Sequence, residues 1–321
     1  MKKHTIYKTL TLIALTLYSL GSIAQETNSD DSDDSEMMEK KGFHFGFFIG
    51  PYWANKYTAN LYNGYGLDAN GAQNEFINSY INRKINFEYS GVDPNTGASN
   101  GQLDQIAQAL GVDPAATGSN TWHFGPSDMP QNMHYTIAFL VGLNARYSMD
   151  KQNAIILNVN ASKLKVVGNF TIQTDVNPNS NQLNAGVNTF DIIGGEQRMI
   201  FQFGYARILG DNKRANFFME GGLNATLAKF DKNYIVIKNL KIDLTQNYTT
   251  PGYGSPTTNV YFPKRIGIGF GAFAGAGFNI TMSPKWTVQL LYDITYDKVN
   301  IGVNPVYKFQ HQTGIRAYYN F

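Results

Sequence analysis

Six ionisable residues are set apart by their place in the local pattern of the sequence. Glu220, Asp293, Arg316, Arg146, Asp297 and His44 each occupy the polar phase of a segment whose hydrophobic residues recur at every second position. Counted from the nearest tight turns, Glu220, Asp293 and Arg316 fall at similar depth, with His44, Arg146 and Asp297 nearer the ends. Carboxylates and a guanidinium gathered in this way can form a gate or a proton-linked site. They can also neutralise one another as a buried ionic network. The network is the preferred reading, because an unpaired charge away from water is costly.

Covalent chemistry has less support. Past the leader, the histidines are His44, His123, His134 and His311, and none has a Ser or carboxylate partner at a telling spacing. The G-x-S-x-G elbow is absent, so the chain reads as non-enzymatic. With no cysteine there is neither a thiolate nucleophile nor a thiolate metal site. Asp93, Asn95 and Ser99 loosely resemble a calcium loop, but Ala98 stands where such a loop needs Gly. No metal or cofactor is expected.

The elements that must position these residues are strands, and the clearest covers 265–281, RIGIGFGAFAGAGFNIT. Ile266, Ile268, Phe270, Ala272, Ala274, Ala276, Phe278 and Ile280 form one face, and Gly267, Gly269, Gly271, Gly275 and Gly277 lie on the other. At about 3.3 Å per residue the run extends roughly 55 Å, enough to cross a membrane at a tilt. The glycine face would leave a groove for long side chains such as Phe48, Arg316 or Glu220.

Seven further stretches alternate likewise: 43–53, 135–147, 153–170, 198–205, 215–227, 286–297 and 307–321. In the stretch 153–170 the alternation fades after Ala161, which points to a projection past the membrane or a bulge. Short polar turns at 148–152, 210–213 and 282–285 alternate with long connections at 55–133, 171–195 and 231–264, and a shorter one near 299–304. Strict sorting of short and long loops is the habit of transmembrane barrels. Charged residues make up only 16%, against roughly 25% in soluble domains. With 21 Phe and 20 Tyr there is ample material for aromatic girdles. A near balance of 26 basic and 24 acidic residues excludes a nucleic-acid partner.

Residues 1–24 read as a signal peptide, with Lys2, Lys3 and Lys8 ahead of an apolar run and Ser22-Ile23-Ala24 at the cleavage site. Residues 25–41 read as an acidic, disordered periplasmic tail. The domain 42–321 is then an all-β, eight-stranded antiparallel transmembrane barrel. Its first loop, 55–133, is expected to form an extracellular cap with short helices, from Phe76, Ile77, Tyr80, Ile81 and from Leu103, Ile106, Ala107, Leu110, the second capped by Gly111.

The signal peptide, the eight strands and the terminal Phe321, with Tyr319 on the same face, together resemble small bacterial outer-membrane barrels of the OmpA/OmpX type and the PorT-like group. The resemblance implies that Tyr319 and Phe321 form a signal read by the barrel assembly machinery, and that both termini are periplasmic. The preferred role is that of an interaction or scaffolding protein, and the resemblance implies that it serves as an accessory subunit of an outer-membrane export or assembly complex. Outer-membrane lipids, and other outer-membrane proteins docking on loop 55–133, would be the partners; a small-solute channel is the alternative, and a lipid-modifying outer-membrane enzyme the second.

Overall fold

A computed structural model of the chain describes residues 41–66, 72–87, 102–112, 122–174, 186–210, 214–245, 265–302 and 305–320. Eight strands carry the fold: β1 Gly42–Trp53, β2 Ala138–Ser148, β3 Asn153–Thr174, β4 Gly186–Leu209, β5 Ala215–Ile237, β6 Ile266–Ser283, β7 Trp286–Lys298 and β8 Tyr307–Asn320. Each pairs antiparallel with its neighbour in the chain, and β1 pairs with β8, His44 lying opposite Asn320. The ring closes, so no barrel strand keeps an open edge at membrane depth.

The outward face states the solvent. Phe139, Leu223 and Phe270 are 66%, 70% and 65% exposed, within a continuous belt of Phe, Leu, Ile, Val and Ala. Only lipid makes such a belt favourable. Girdle aromatics pair at its margins, Trp286 with Tyr319 at 5.3 Å between ring centroids and Tyr296 with Tyr307 at 5.5 Å. This is an outer-membrane type of β-barrel.

β3 and β4 outrun the belt, and their polarity inverts where they leave it. Along β3 the outward residues run from Ile155, Leu157 and Val159 to Lys163 and Lys165, while the inward ones run from Asn158, Asn160 and Ser162 to Leu164, Val166, Phe170 and Ile172. β4 mirrors this, with inward Gln202, Arg198 and Glu196 giving way to Ile192 and Phe190. Below the change the outside is lipid and the interior polar. Above it the outside is water and the interior an apolar core. The alternation of β3 fades after Ala161 because its sign reverses; no bulge interrupts its pairing.

β5 does carry a bulge. Its register passes from Gly195 opposite Lys232 to Glu196 opposite Phe230, with Asp231 extra. The odd residues Asn233, Ile235 and Ile237 therefore turn inward above it. The connections expected over 171–195 and 231–264 are correspondingly shorter, since strand continues to Thr174, resumes at Gly186 and runs on to Ile237. A turn at Lys238 (φ 49) then folds Leu240–Asp243 back onto β5.

The first long connection builds a head over this end of the barrel. Ala59, Tyr62, Ile81, Ile85, Ile106, Phe124, Met129 and Met133 pack against Val166, Phe170, Ile172, Phe190, Ile192, Ile235, Ile237 and Ile242 in one core. Helix α1, Gln102–Leu110, buries Ile106 and Ala107 and ends on Gly111 (φ +78). Val112 N donates to Ala107 O and Gly111 N to Gln108 O, the double bond of a Schellman stop. The helix expected from Phe76 through Ile81 is instead broken at Ser79. Its extended backbone (ψ 145) and its hydroxyl, accepting from Asn82 N at 3.2 Å, start a new turn there. Ile81 and Ile85 are buried by that turn, and Ile77 is left 56% exposed. Trp122–His123 and His134–Tyr135 pair with the projecting edge of β3 and cover it.

Candidate functional site

Ladder rows across the barrel bring the polar side chains together. Glu220, Gly275, Asp293 and Gln312 lie opposite one another on β5, β6, β7 and β8. Arg316, two inward positions from Gln312 with Gly314 between, reaches Glu220 through both terminal guanidinium nitrogens, at 2.9 and 3.0 Å. It also donates to Gln289 Oε1 at 3.1 Å. Gln312 Nε2 donates to Asp293 Oδ2 at 2.7 Å. Asn144, Asn158, Gln202 and Asn224 form another row, with hydrogen bonds of 2.8 Å from Asn144 to Asn158 and 3.2 Å from Asn158 to Gln202.

The bare face of β6 explains how side chains two strands apart can meet. Asp297 on β7 passes over Gly271 to accept from Asn224 Nδ2 at 3.1 Å and Thr226 Oγ1 at 2.5 Å, both on β5. A Cβ on Gly271 would collide with Tyr296 O and with the Asp297 side chain. One on Gly275 would strike the Asp293 carboxylate and come within 3.2 Å of Glu220 Cγ. Leu290 O and the Phe218 ring occupy the corresponding space at Gly277, and Lys298 O that at Gly269; Gly267 lies opposite Ala228. Phe273 interrupts the stripe and presses its ring towards Gly204 on β4. Of the side chains expected in the groove, Glu220 borders it. Phe48 instead covers Gly314, and Arg316 reaches only the carboxylate beyond. The correction follows from register, which places the β7 carboxylates beside the glycines.

A second charged layer lies at the polarity change, under the head. Arg198 Nε donates to Glu196 Oε1 at 2.5 Å, with both side chains fully buried. Its other nitrogens reach Tyr52 OH (2.8 Å), Gln310 Oε1 (3.0 Å) and Thr58 Oγ1 (3.1 Å). Tyr135 and Tyr62 donate to Glu196 Oε2 at 2.6 and 3.2 Å. Burial first, and then the Glu196 charge, push both phenols well above their usual range, so they remain donors. Gln310 Nε2 continues the chain to Asp297 at 3.1 Å. This layer ties the head (Thr58, Tyr62, Tyr135) to β1, β4, β7 and β8.

The sequence reading names Glu220, Asp293 and Arg316, and the structure groups them. It places Asp297 in the upper layer and sets His44 opposite Arg146 at the short-turn end. The sequence reading misses Glu196, which sits one residue past the connection drawn to 195 and short of the stretch that begins at 198. The i, i+2 pair Glu196 and Arg198 on one strand face is the signal that could have found it. Tyr319 faces outward against Trp286, and Phe321 lies outside the described residues, as do the calcium-like stretch 93–99, the signal peptide and the acidic segment 25–40. His311 bonds Tyr292 OH at 2.8 Å on the lipid-facing side, while His134 is exposed at the rim. Among the described residues no three His, Cys, Asp or Glu cluster as a metal site.

The lumen is filled. Asn144, Arg146, Asn158, Arg198, Gln202, Gln289, Asp293, Asp297, Gln310, Gln312 and Arg316 are each 2% exposed or less. Side chains lining a water-filled bore would be reachable by water, and these are not.

No protein-family model and no curated protein matches the chain. Similar solved structures include the outer membrane protein OprG from Pseudomonas aeruginosa, 9% identical, covering 89% of this chain and 99% of that one at a TM-score of 0.38. The attachment invasion locus protein Ail of Yersinia pestis, in complex with the heparin analogue sucrose octasulfate, is 11% identical, with 88% and 99% covered and a TM-score of 0.29. Outer membrane protein AlkL in lipid bilayers is 9% identical, with 92% and 97% covered and a TM-score of 0.23. At such scores these likenesses carry no argument, and the fold rests on its own strand pairing.

Proposed function

We propose that the protein is a non-enzymatic interaction barrel of the outer membrane, an accessory or scaffold subunit of an export or assembly complex. The head faces the exterior, and both termini face the periplasm. The observation that carries this reading is the lumen closed by its own hydrogen-bonded side chains, which argues against a small-solute channel. A folded head with its own apolar core suits contact with another macromolecule better than passage of a solute. The export or assembly assignment rests on the PorT-like resemblance alone, which is an analogy of fold.

A chain without cysteine makes the test simple. Asn169→Cys on the projecting part of β3 and Lys285→Cys at a short turn each provide one thiol. A membrane-impermeant maleimide added to intact cells should label the first and spare the second; the reverse pattern would invert the orientation. Ile77→Cys, on the exposed side of the head, should then crosslink to a discrete outer-membrane protein in intact cells. Absence of any adduct from Ile77 and from Val187→Cys (64% exposed) would remove the interaction role.

A further inference from the structure

The lipid belt ends on β3, β4 and β5 in a single ladder row, Ala161, Met199 and Leu227. The next outward row holds Lys163, Gln197 and Lys229, and the row above it Lys165, Gly195 and Lys232. All four lysines are exposed, Lys163 with 69% of its side chain accessible. With strands about 4.8 Å apart and outward rows roughly 6.7 Å apart, the four attachment points frame an area of about 10 by 7 Å. Gly195 leaves the middle of that frame low, and the stem of Lys232 crosses it: a Cβ there would meet Lys232 Cγ at 2.9 Å. The Lys232 ammonium lies 5.3 Å from the Tyr234 ring centroid.

Nearby acids do not cancel the charge. Asp231, in the bulge, approaches Lys163 at 3.8 Å, a loose pair on the outer surface. Asp191 lies two rows higher and bonds Asn169 at 3.4 Å. On the opposite side of the barrel the same margin is lined by Trp53, Tyr296, Tyr307 and Phe309. On that margin β7 also ends in an outward Lys298, opposite Tyr307, so what sets the three-strand wall apart is clustering: four lysines in two adjacent rows, at the height where hydrocarbon gives way to headgroups.

We propose that Lys163, Lys165, Lys229 and Lys232 seat the phosphate groups of a lipid headgroup in the leaflet facing the head. Ammonium groups one and two rows above the apolar margin meet headgroup phosphates while the lipid tails lie along Val159, Phe201 and Leu227. That the leaflet is the outer one rests on the proposed orientation. Headgroup binding by the isolated protein does not, so failure of one is distinguishable from failure of the other.

The full chain in neutral maltoside micelles is titrated with bis-phosphorylated lipid A, and with the same glycolipid after removal of its phosphates, by native mass spectrometry. The phosphorylated form should bind and the dephosphorylated form should not. Each lysine near a charged surface is worth about fivefold in affinity, so the quadruple variant K163Q/K165Q/K229Q/K232Q should lose roughly 600-fold. The quadruple Arg variant should retain binding, and so should K151Q/K285Q, altered at the short-turn end. Assembly of each variant is checked by its heat-modifiable gel shift; if the quadruple variant does not assemble, K163Q/K229Q should still lose on the order of tenfold. Binding by the Gln variants within twofold of wild type would overturn the proposal. So would equal binding of the dephosphorylated glycolipid, displacement by millimolar inorganic phosphate, or an equal loss in K151Q/K285Q.

Discussion

Arg316→Ala is expected to cost the folded barrel about 3–5 kcal/mol, the range for removing one partner of a buried ion pair. Glu220 would lose its bidentate partner at 0% side-chain exposure, with Asp293 in the same ladder row. The loss is read as a lower urea midpoint for the reversible unfolding of the barrel in detergent. Replacing both partners, Glu220→Leu with Arg316→Met, removes the stranded charge and should recover most of the loss. A double variant as unstable as the sum of the singles would mean that the two residues act independently. Neither variant should acquire an ion-selective conductance, because Gln289, Asn279, Asp293 and Gln312 still fill the section.

Gly271→Leu should block assembly outright. A Cβ there already collides with the β7 backbone at Tyr296 O, so the leucine must push β6 and β7 apart. It also ejects the Asp297 carboxylate from Asn224, Thr226 and Gln310, leaving several buried polar groups without partners. Overpacking of this kind costs about 1–3 kcal/mol, and each unsatisfied buried group roughly as much again. Ala272→Leu, one residue along on the lipid face, adds the same volume where lipid can yield and should assemble normally. Heat-modifiable gel migration distinguishes the two. Normal migration of Gly271→Leu would mean that the space above the glycine is empty, and the channel reading would gain ground.

These two sites show how much of the molecule was legible in the sequence. A two-residue period fixes which face of a strand a residue occupies, so Glu220, Asp293 and Arg316 could be turned inward without coordinates. Depth was readable too, because tight turns give a common origin for counting. The partner of each residue was not readable, since that needs the stagger between strands; hence Phe48 was expected over the β6 glycines and lies over Gly314 instead. The projecting wall was obscured for a physical reason. Where β3 and β4 leave the membrane the alternation persists but changes sign, and a search for outward hydrophobics reads that as an ending. Lys163 beside Leu164 marks the change. On β5 the bulge at Asp231 also shifts the phase, which hid Ile235 and Ile237 and the head core they serve.

The central claim is that side chains close the lumen, and single-channel recording in planar bilayers tests it most directly. The purified full chain should insert, as judged by protease protection, and show no stepwise conductance between pH 5 and 8 under either polarity. A reproducible, ion-selective unit conductance from the wild-type protein would contradict the account.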